Sequence, residues 1–280
     1  PGELVIFKSI VDRENPRVEI ITSTQYGKTL TISRALLSRV TAYPEDWMVL
    51  APDLKRGQII LKYMIKDIAN HTDFATQLVG VNLKEKNLLM RLLIEKSKIK
   101  LTFQILDPDK KKDAKNEELL YGSVEVLSVQ AKRRNDAITG VMGFGGRNLV
   151  MDESALCDDE IEAGVYRMMA GKGNDTCLIK IGNPFFRNHF LTDWKGDEYM
   201  KIYIDYLVAL AEGRYTGEFL ERALVKARSD VLYECRFPRP DAIDSKGWSP
   251  LLTEDEVKAA MVKDGVHFGD GGEAERAAAG

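Results

Sequence analysis

The stretch that most restricts the fold is VEIITSTQYGKTLTISRALLSRV, residues 18–40. Residues 18–22 (VEIIT) are β-branched and apolar, the pattern of a buried strand, and residues 29–40 place apolar side chains at helical spacing. STQYGK lies between them as a glycine-containing turn. Strand, turn and helix in that order form the first half of a βαβ unit, and a second follows at once. Residues 47–51 (WMVLA) read as a strand, and residues 56–70 carry Ile59, Ile60, Tyr63, Met64 and Ile68 at helical spacing. Alternating units of this kind predict an α/β fold with a mainly parallel sheet flanked by helices.

Composition is compatible with that fold and narrows the class. A chain of 280 residues with 44% hydrophobic and 30% charged residues can bury a full core and is neither collagen-like nor disordered. No stretch approaches the roughly 20 apolar residues that a membrane span needs, and the first residues lack the basic and apolar regions of a signal peptide. Cytosolic placement is the expectation. Cys157, Cys177 and Cys235 are odd in number and widely spaced, so neither a disulfide framework nor a zinc site is indicated. A formal charge of −3 excludes a broadly basic nucleic-acid binder, leaving any such contact to a local patch. The chain opens at Pro1 and closes in GGEAERAAAG, so both ends are expected to be cut ends of something longer.

Further along, residues 98–106 and 122–129 are β-rich and flank the polar segment DPDKKKDAKNEE, which predicts a long hairpin. Residues 147–151 (RNLVM) and 177–181 (CLIKI) are apolar strands that run straight into Asp152-Glu153-Ser154 and Gly182-Asn183-Pro184. Junctions of that kind fall at strand C-termini, where open α/β sheets bind ligands. Residues 199–206 complete the strand candidates. After Gly213 helical patterns dominate, including residues 219–228 and 254–263, the latter with a capping box at Thr253 and Glu256. The expected division is a P-loop domain over 1–212, a helical linker over 213–264 and a tail over 265–280.

Gly27-Lys28-Thr29 is the chemically essential end of a phosphate-binding loop, in which backbone N–H groups surround phosphates, lysine bridges the outer ones and Ser/Thr holds magnesium. The loop departs from GxxxxGK[ST] because Thr22 stands at the first glycine position. Candidate ATP-binding residues are Ser23, Thr24, Gln25, Tyr26, Gly27, Lys28 and Thr29. Asp152, delivered to a sheet edge by an apolar strand, can order Mg²⁺ together with Thr29, and Glu153 beside it can polarise an attacking water. Asn183 can sense the terminal phosphate, although Asn-Pro is also a common turn. Asp158, Asp159 and Glu160 suit a helix N-terminus.

In this order the motifs resemble the ATPase region of phage and prophage large terminases. STQYGKT looks like that family's variant Walker A, LVMDES its Walker B and LIKIGNP its coupling motif. VLAPDLKRGQIILKYM is similar to the strand and helix after the P-loop, and GRYTGEFLERA, LYECRFP and GWSPLLTEDEVKAAM resemble the stretch before the nuclease domain. The resemblance implies a RecA-like (ASCE) P-loop NTPase with a small helical linker subdomain. It implies hydrolysis of ATP with Mg²⁺ by a homo-oligomeric ring, in company with portal protein, small terminase subunit and double-stranded DNA. That setting is the cytoplasm of an infected bacterial or archaeal host, with docking on a procapsid. An RNase H-like nuclease is expected beyond Gly280, so DNA cleavage is not expected from these residues.

One departure matters. The family's usual P-loop arginine is Thr24 here, yet an arginine from elsewhere can be worth roughly 10³–10⁵ in rate. AKRRNDAITG resembles the segment from which some terminases supply a trans-acting arginine, which points to Arg134, then Arg133; adjacent basic residues in a polar loop are otherwise simply solvated. Arg147 is expected to lie too far from the phosphate end. Lys110, Lys111 and Lys112 fit a solvated loop better than a DNA contact, and His71, His189 and His267 suit solvent or core better than metal. Phe185, Phe186 and Phe190 are expected to pack beside the sheet, and Tyr26 is a candidate to lean on the nucleotide. The rival readings are a helicase-like DNA translocase, which needs a second RecA-like domain, and a non-hydrolysing P-loop scaffold binding portal or DNA.

Overall fold

The computed structural model describes residues 1–79, 99–105, 120–129, 146–170, 175–225 and 229–237. The expectations for Lys110 to Lys112, Arg133, Arg134, His267 and the Thr253 capping box lie outside the described residues. Seven strands form one sheet: β1 (Arg17–Thr22), β2 (Asp46–Ala51), β3 (Lys100–Gln104), β4 (Tyr121–Ser128), β5 (Asn148–Asp152), β6 (Cys177–Gly182) and β7 (Met200–Ile204), in the order β3-β4-β2-β5-β6-β1-β7. All pairings are parallel except β3 with β4, the antiparallel pair expected of the hairpin. The strand carrying Asn183 at its exit is thus inserted between the P-loop strand and the strand ending in Asp152. This is the mainly parallel RecA-like arrangement. Parallel neighbours need crossovers, and the helices that make them cover both faces.

One face carries Val18, Ile20, Val49, Val126, Val150, Ile179 and Ile202 against α1 (Gly2–Val11), α2 (Lys28–Ala42) and α3 (Leu54–Asn70). The opposite face carries Leu50, Leu149, Met151 and Leu178 against α5 (Asp159–Ala170), whose Ile161, Val165, Met168 and Met169 supply the contact. Ile21 on that face meets Phe190, Leu191 and Trp194 of α6 (His189–Lys195), together with Cys235 and Phe237. Burial on both sides explains why β1, β2, β5 and β6 read as continuous apolar runs. The short helices α4 (Thr72–Gln77), α7 (Tyr206–Ala211), α8 (Gly217–Leu224) and α9 (Ser229–Leu232) and a 3-10 turn at Ser154–Leu156 complete the described elements.

Individual side chains agree with the sequence reading in some places and depart from it in others, at Ile59 and Phe186. Ile59 of α3 is exposed; Leu61 and Ile65 take the inner positions beside Ile60, Met64 and Ile68. Phe190 is fully buried and Phe185 partly so, but Phe186 is exposed. His189 is buried in the core, and Cys157, Cys177 and Cys235 are buried free thiols. Arg147 pairs with Asp175 at the opposite end of the sheet from Asp152. Just after Gly213, Tyr215 and Leu220 join the main core.

Candidate functional site

The site is assembled at the C-terminal ends of three adjacent strands, β1, β6 and β5. After β1 the chain is fixed before it reaches the glycine: Ser23 N–H donates to Ile204 O at 2.7 Å and Thr24 N–H to Leu232 O at 2.7 Å. Tyr215 Oη donates to Ser23 Oγ at 3.2 Å and also to the Thr24 carbonyl. Gln25 and Gly27 then adopt positive φ, and Gly27 at φ 104° starts α2 with Lys28 as its first residue. The first amides of a helix have no intrahelical acceptor, so the N-terminus of α2 presents donors and the positive end of its dipole to an anion. The Ser23 and Thr24 amides are thus engaged within the fold.

Tyr26 is turned into the core. Its side chain is fully buried, and Oη donates to Glu212 Oε2 at 2.6 Å. Burial and the neighbouring carboxylates push its phenol well above the ordinary range. The tyrosine anchors the loop from below, with Glu212 also accepting from Gly2 N–H at 2.6 Å.

Lys28 is nearly buried and its Nζ sits 2.7 Å from Glu153 Oε1 and 3.1 Å from Asn183 Oδ1. Thus the three motifs converge on one ammonium. Asp152, the last residue of β5, is buried with Oδ1 lacking any hydrogen-bond partner. Burial, then the charge of Glu153, raises its pKa to about 7, while Lys28 and Arg56 oppose the shift. An orphaned carboxylate oxygen costs free energy unless a cation or donor meets it. A bare carboxylate oxygen is a hard donor of the kind Mg²⁺ takes, and Thr29, which follows Lys28, is half-buried. These residues fit a magnesium ion.

Glu153 adopts a left-handed backbone, φ 52° and ψ 46°, at a cost of about 1–2 kcal/mol for a non-glycine residue. The turn aims its carboxylate back over the end of the sheet; Oε2 is buried without a partner. Gly182 makes the approach possible, because a Cβ there would lie 3.1 Å from Glu153 Cα and 3.2 Å from Ser154 N. Asn183 is buried too, and its Nδ2 donates to Thr22 O at 2.7 Å and Leu232 O at 3.3 Å. Its amide therefore bridges the P-loop strand, Lys28 and the C-terminal segment.

The sequence reading overlooked Arg56. Asp53 caps α3 by accepting from Arg56 N–H at 2.9 Å and pairs with its Nε at 3.2 Å, and the guanidinium is close enough to Asp152 to bear on its ionisation. The available signal was the basic pair directly after the WMVLA strand, at the same sheet edge as Asp152. Arg134 and Arg133 lie outside the described residues.

No protein family matches the sequence, and no curated protein matches it. Solved structures do match. The ATPase domain of the Thermus phage P74-26 large terminase superposes with a TM-score of 0.60 at 13% identity, covering 85% of this chain and 93% of that one. A large terminase from a thermophilic bacteriophage superposes with a TM-score of 0.55 at 10% identity, covering 83% of this chain and 52% of that one. The same terminase in complex with ATP-gamma-S superposes with a TM-score of 0.52 at 11% identity, covering 84% and 51%. The chain thus spans about half the length of that terminase. Across most of its length the chain has the mixed α/β, RecA-like fold of the ATPase domain of phage large terminases.

Proposed function

We propose that this chain is the ATP-hydrolysing motor of a viral large terminase, using ATP and Mg²⁺ to translocate double-stranded DNA into a procapsid. The observation that carries the reading is the convergence of Lys28, Glu153 and Asn183, within 3.1 Å of one Nζ, beside a buried Asp152 whose Oδ1 lacks a partner. Fold likeness to a terminase solved with ATP-gamma-S supports it.

In this reading the amides from Tyr26 to Thr29 and the α2 dipole hold the phosphates. Thr29 and Asp152 hold magnesium, which when bound neutralises charge on the phosphates. Lys28 leaves Glu153 for the outer phosphates, freeing the Glu153 carboxylate to take a proton from the attacking water. Asn183 loses the same lysine contact, and its bond to Leu232 carries the change into the C-terminal segment. Arg56 adds a positive charge at the sheet edge, and Arg134 or Arg133 of a neighbouring subunit supplies the charge missing at Thr24.

The division into an ATPase domain over 1–212, a linker over 213–264 and a tail over 265–280 belongs to the same proposal. So do a homo-oligomeric ring, portal protein and small terminase subunit as partners, and work in an infected cell's cytoplasm. No described helix is long and apolar enough to cross a membrane. The test is Glu153→Ala, measured for ATP binding and phosphate release. Binding without turnover is expected; persistent hydrolysis would remove Glu153 from its role.

A further inference from the structure

Behind the site, on the α5 and α6 face of the sheet, lies a buried ionic cluster that none of the nucleotide chemistry uses. Lys180 of β6 is fully buried, and its Nζ donates to Glu162 of α5 and to Asp193 of α6. It also lies 3.1 Å from His189 Nδ1 and 5.0 Å from the centre of the Tyr199 ring. Glu162, His189 and Asp193 have ligand atoms close enough together to hold a metal ion, but the lysine ammonium contacts all three and takes the place of one.

The ammonium also settles the histidine. Nδ1 must accept from Lys180, so the ring is neutral with its proton on Nε2, which donates to Cys157 O at 3.2 Å. Burial and Lys180 hold its pKa down, at about 4, in agreement with that assignment. Burial alone would lower the Lys180 pKa, but Glu162 and Asp193 more than offset this, leaving it raised. Glu19 stands opposite Lys180 in the β1–β6 register, fully buried with neither oxygen hydrogen-bonded.

What this cluster connects is the informative part. Lys180 lies two residues before Gly182 and three before Asn183 on β6. Glu162 lies in the first turn of α5, beyond the 3-10 turn Ser154–Leu156 that follows Glu153, and His189 and Asp193 belong to the helix that follows Asn183. Further bonds reinforce the connection: Asn188 Nδ2 donates to Ala155 O at 3.1 Å and Cys157 O at 2.7 Å, and His189 N–H donates to Asp159 Oδ1 at 2.7 Å. The turn that follows Glu153 is therefore clamped between β6 and α6 on its far side. A residue in a left-handed conformation keeps it only when its surroundings over-determine it.

We propose that Lys180, with Glu162, Asp193, His189 and Asn188, is a positioning device that holds Glu153 in its left-handed turn, and so aims the carboxylate at the phosphate site. The inference rests on the proposed ATPase reading for its consequence in rate, but its structural content does not. Lys180 touches no reacting atom. It acts through the 153–157 turn.

The test replaces the cluster by neutral groups of similar size, Lys180→Met with Glu162→Gln and Asp193→Asn, so that neither the lysine nor the two acids bonded to it is left as a buried charge without its partner. Three quantities are read: ATP-gamma-S affinity, turnover, and amide hydrogen exchange at residues 154–157 relative to α2. Affinity should stay within roughly threefold while turnover falls about 10- to 100-fold, the scale of a misplaced reacting group. Exchange at 154–157 should rise by about tenfold or more with α2 unchanged. Unaltered exchange at 154–157 in the folded variant would overturn the proposal, as would affinity and turnover falling together. Should the triple variant not fold, Asn188→Ala, which removes the Ala155 and Cys157 bonds without exposing a charge, decides by the same readings. If the unmodified protein does not turn over ATP, the ATPase proposal fails while the exchange comparison still decides this one.

Discussion

Replacing Glu153 by Gln is expected to tighten nucleotide binding, because the site as built holds Lys28 in a competing ion pair. Lys28 Nζ is 2.7 Å from Glu153 Oε1, with side-chain exposures of 10% and 17%, so water screens the pair only weakly. Before Lys28 can bridge phosphates it must give up this bond. A charge-assisted hydrogen bond is worth about 1.5–3 kcal/mol net and a neutral one about 0.5–1.5, so the amide should lower the cost of release by roughly 1–2 kcal/mol. That range corresponds to about 5- to 30-fold tighter binding. The bond to Asn183 Oδ1 at 3.1 Å is given up equally in both proteins and cancels. Titration of Mg²⁺ and ATP-gamma-S into both proteins by calorimetry measures the difference directly. Equal or weaker affinity in a folded Glu153→Gln protein would refute the reasoning, since it would mean that Lys28 gains nothing by being released.

Gly182→Ala forces a methyl to 3.1 Å from Glu153 Cα, and should cost about 1–3 kcal/mol of stability by denaturant titration together with most of the turnover. Tyr215→Phe removes the donor to Ser23 Oγ and the Thr24 carbonyl; a loss of about 1 kcal/mol in stability and weaker ATP-gamma-S binding are expected. The ionic cluster sets a pH signature. His189, with a folded pKa of about 4, binds fewer protons folded than unfolded, so its contribution is lost as pH falls from the ordinary histidine range toward 4, by at most about 1.4 kcal/mol per pH unit. Glu162, raised to about 7 by burial first and Asp193 next, works the other way: it favours the folded state in acid and loses that contribution as pH rises through 7. Relative to the unmodified protein, His189→Gln should therefore gain stability on acidification from pH 6.5 to 4.5, and Glu162→Gln should lose it, in urea melts across that range. Identical pH slopes for all three would contradict the assignment.

The parts of the site that sequence exposes are those where one chemical demand sets one residue type. A helix N-terminus entered from a buried strand needs Gly27 for its positive φ, and a fully buried strand ending in a carboxylate is conspicuous at Asp152, so both are visible in order along the chain. Asn183 was visible for the same reason, at the end of CLIKI. The antiparallel pairing of β3 with β4 was legible because residues 98–106 and 122–129 read as β-rich stretches on either side of a charged segment. Less visible was α1, whose inner face shows only Ile6 and Ile10 fully buried. The seven-residue α6 also carries too few turns to establish a period. The burial of Tyr26 was not legible, because only tertiary packing brings Glu212 to its hydroxyl. Lys180 is the extreme case: a lysine in a strand gives no hint of being fully buried, since its partners come from the helix before its strand and the helix after it.

The central claim is that Lys28 and its neighbours hydrolyse ATP. Its most direct measurement is the rate of phosphate release from Mg²⁺ and ATP by the unmodified protein and by Lys28→Ala, each at concentrations high enough for rings to assemble. The account predicts magnesium-dependent release that falls by at least about 100-fold in Lys28→Ala, a loss of about 2.7 kcal/mol of transition-state stabilisation. Release that is absent from the unmodified protein under those conditions, or equal in the two proteins, would contradict it.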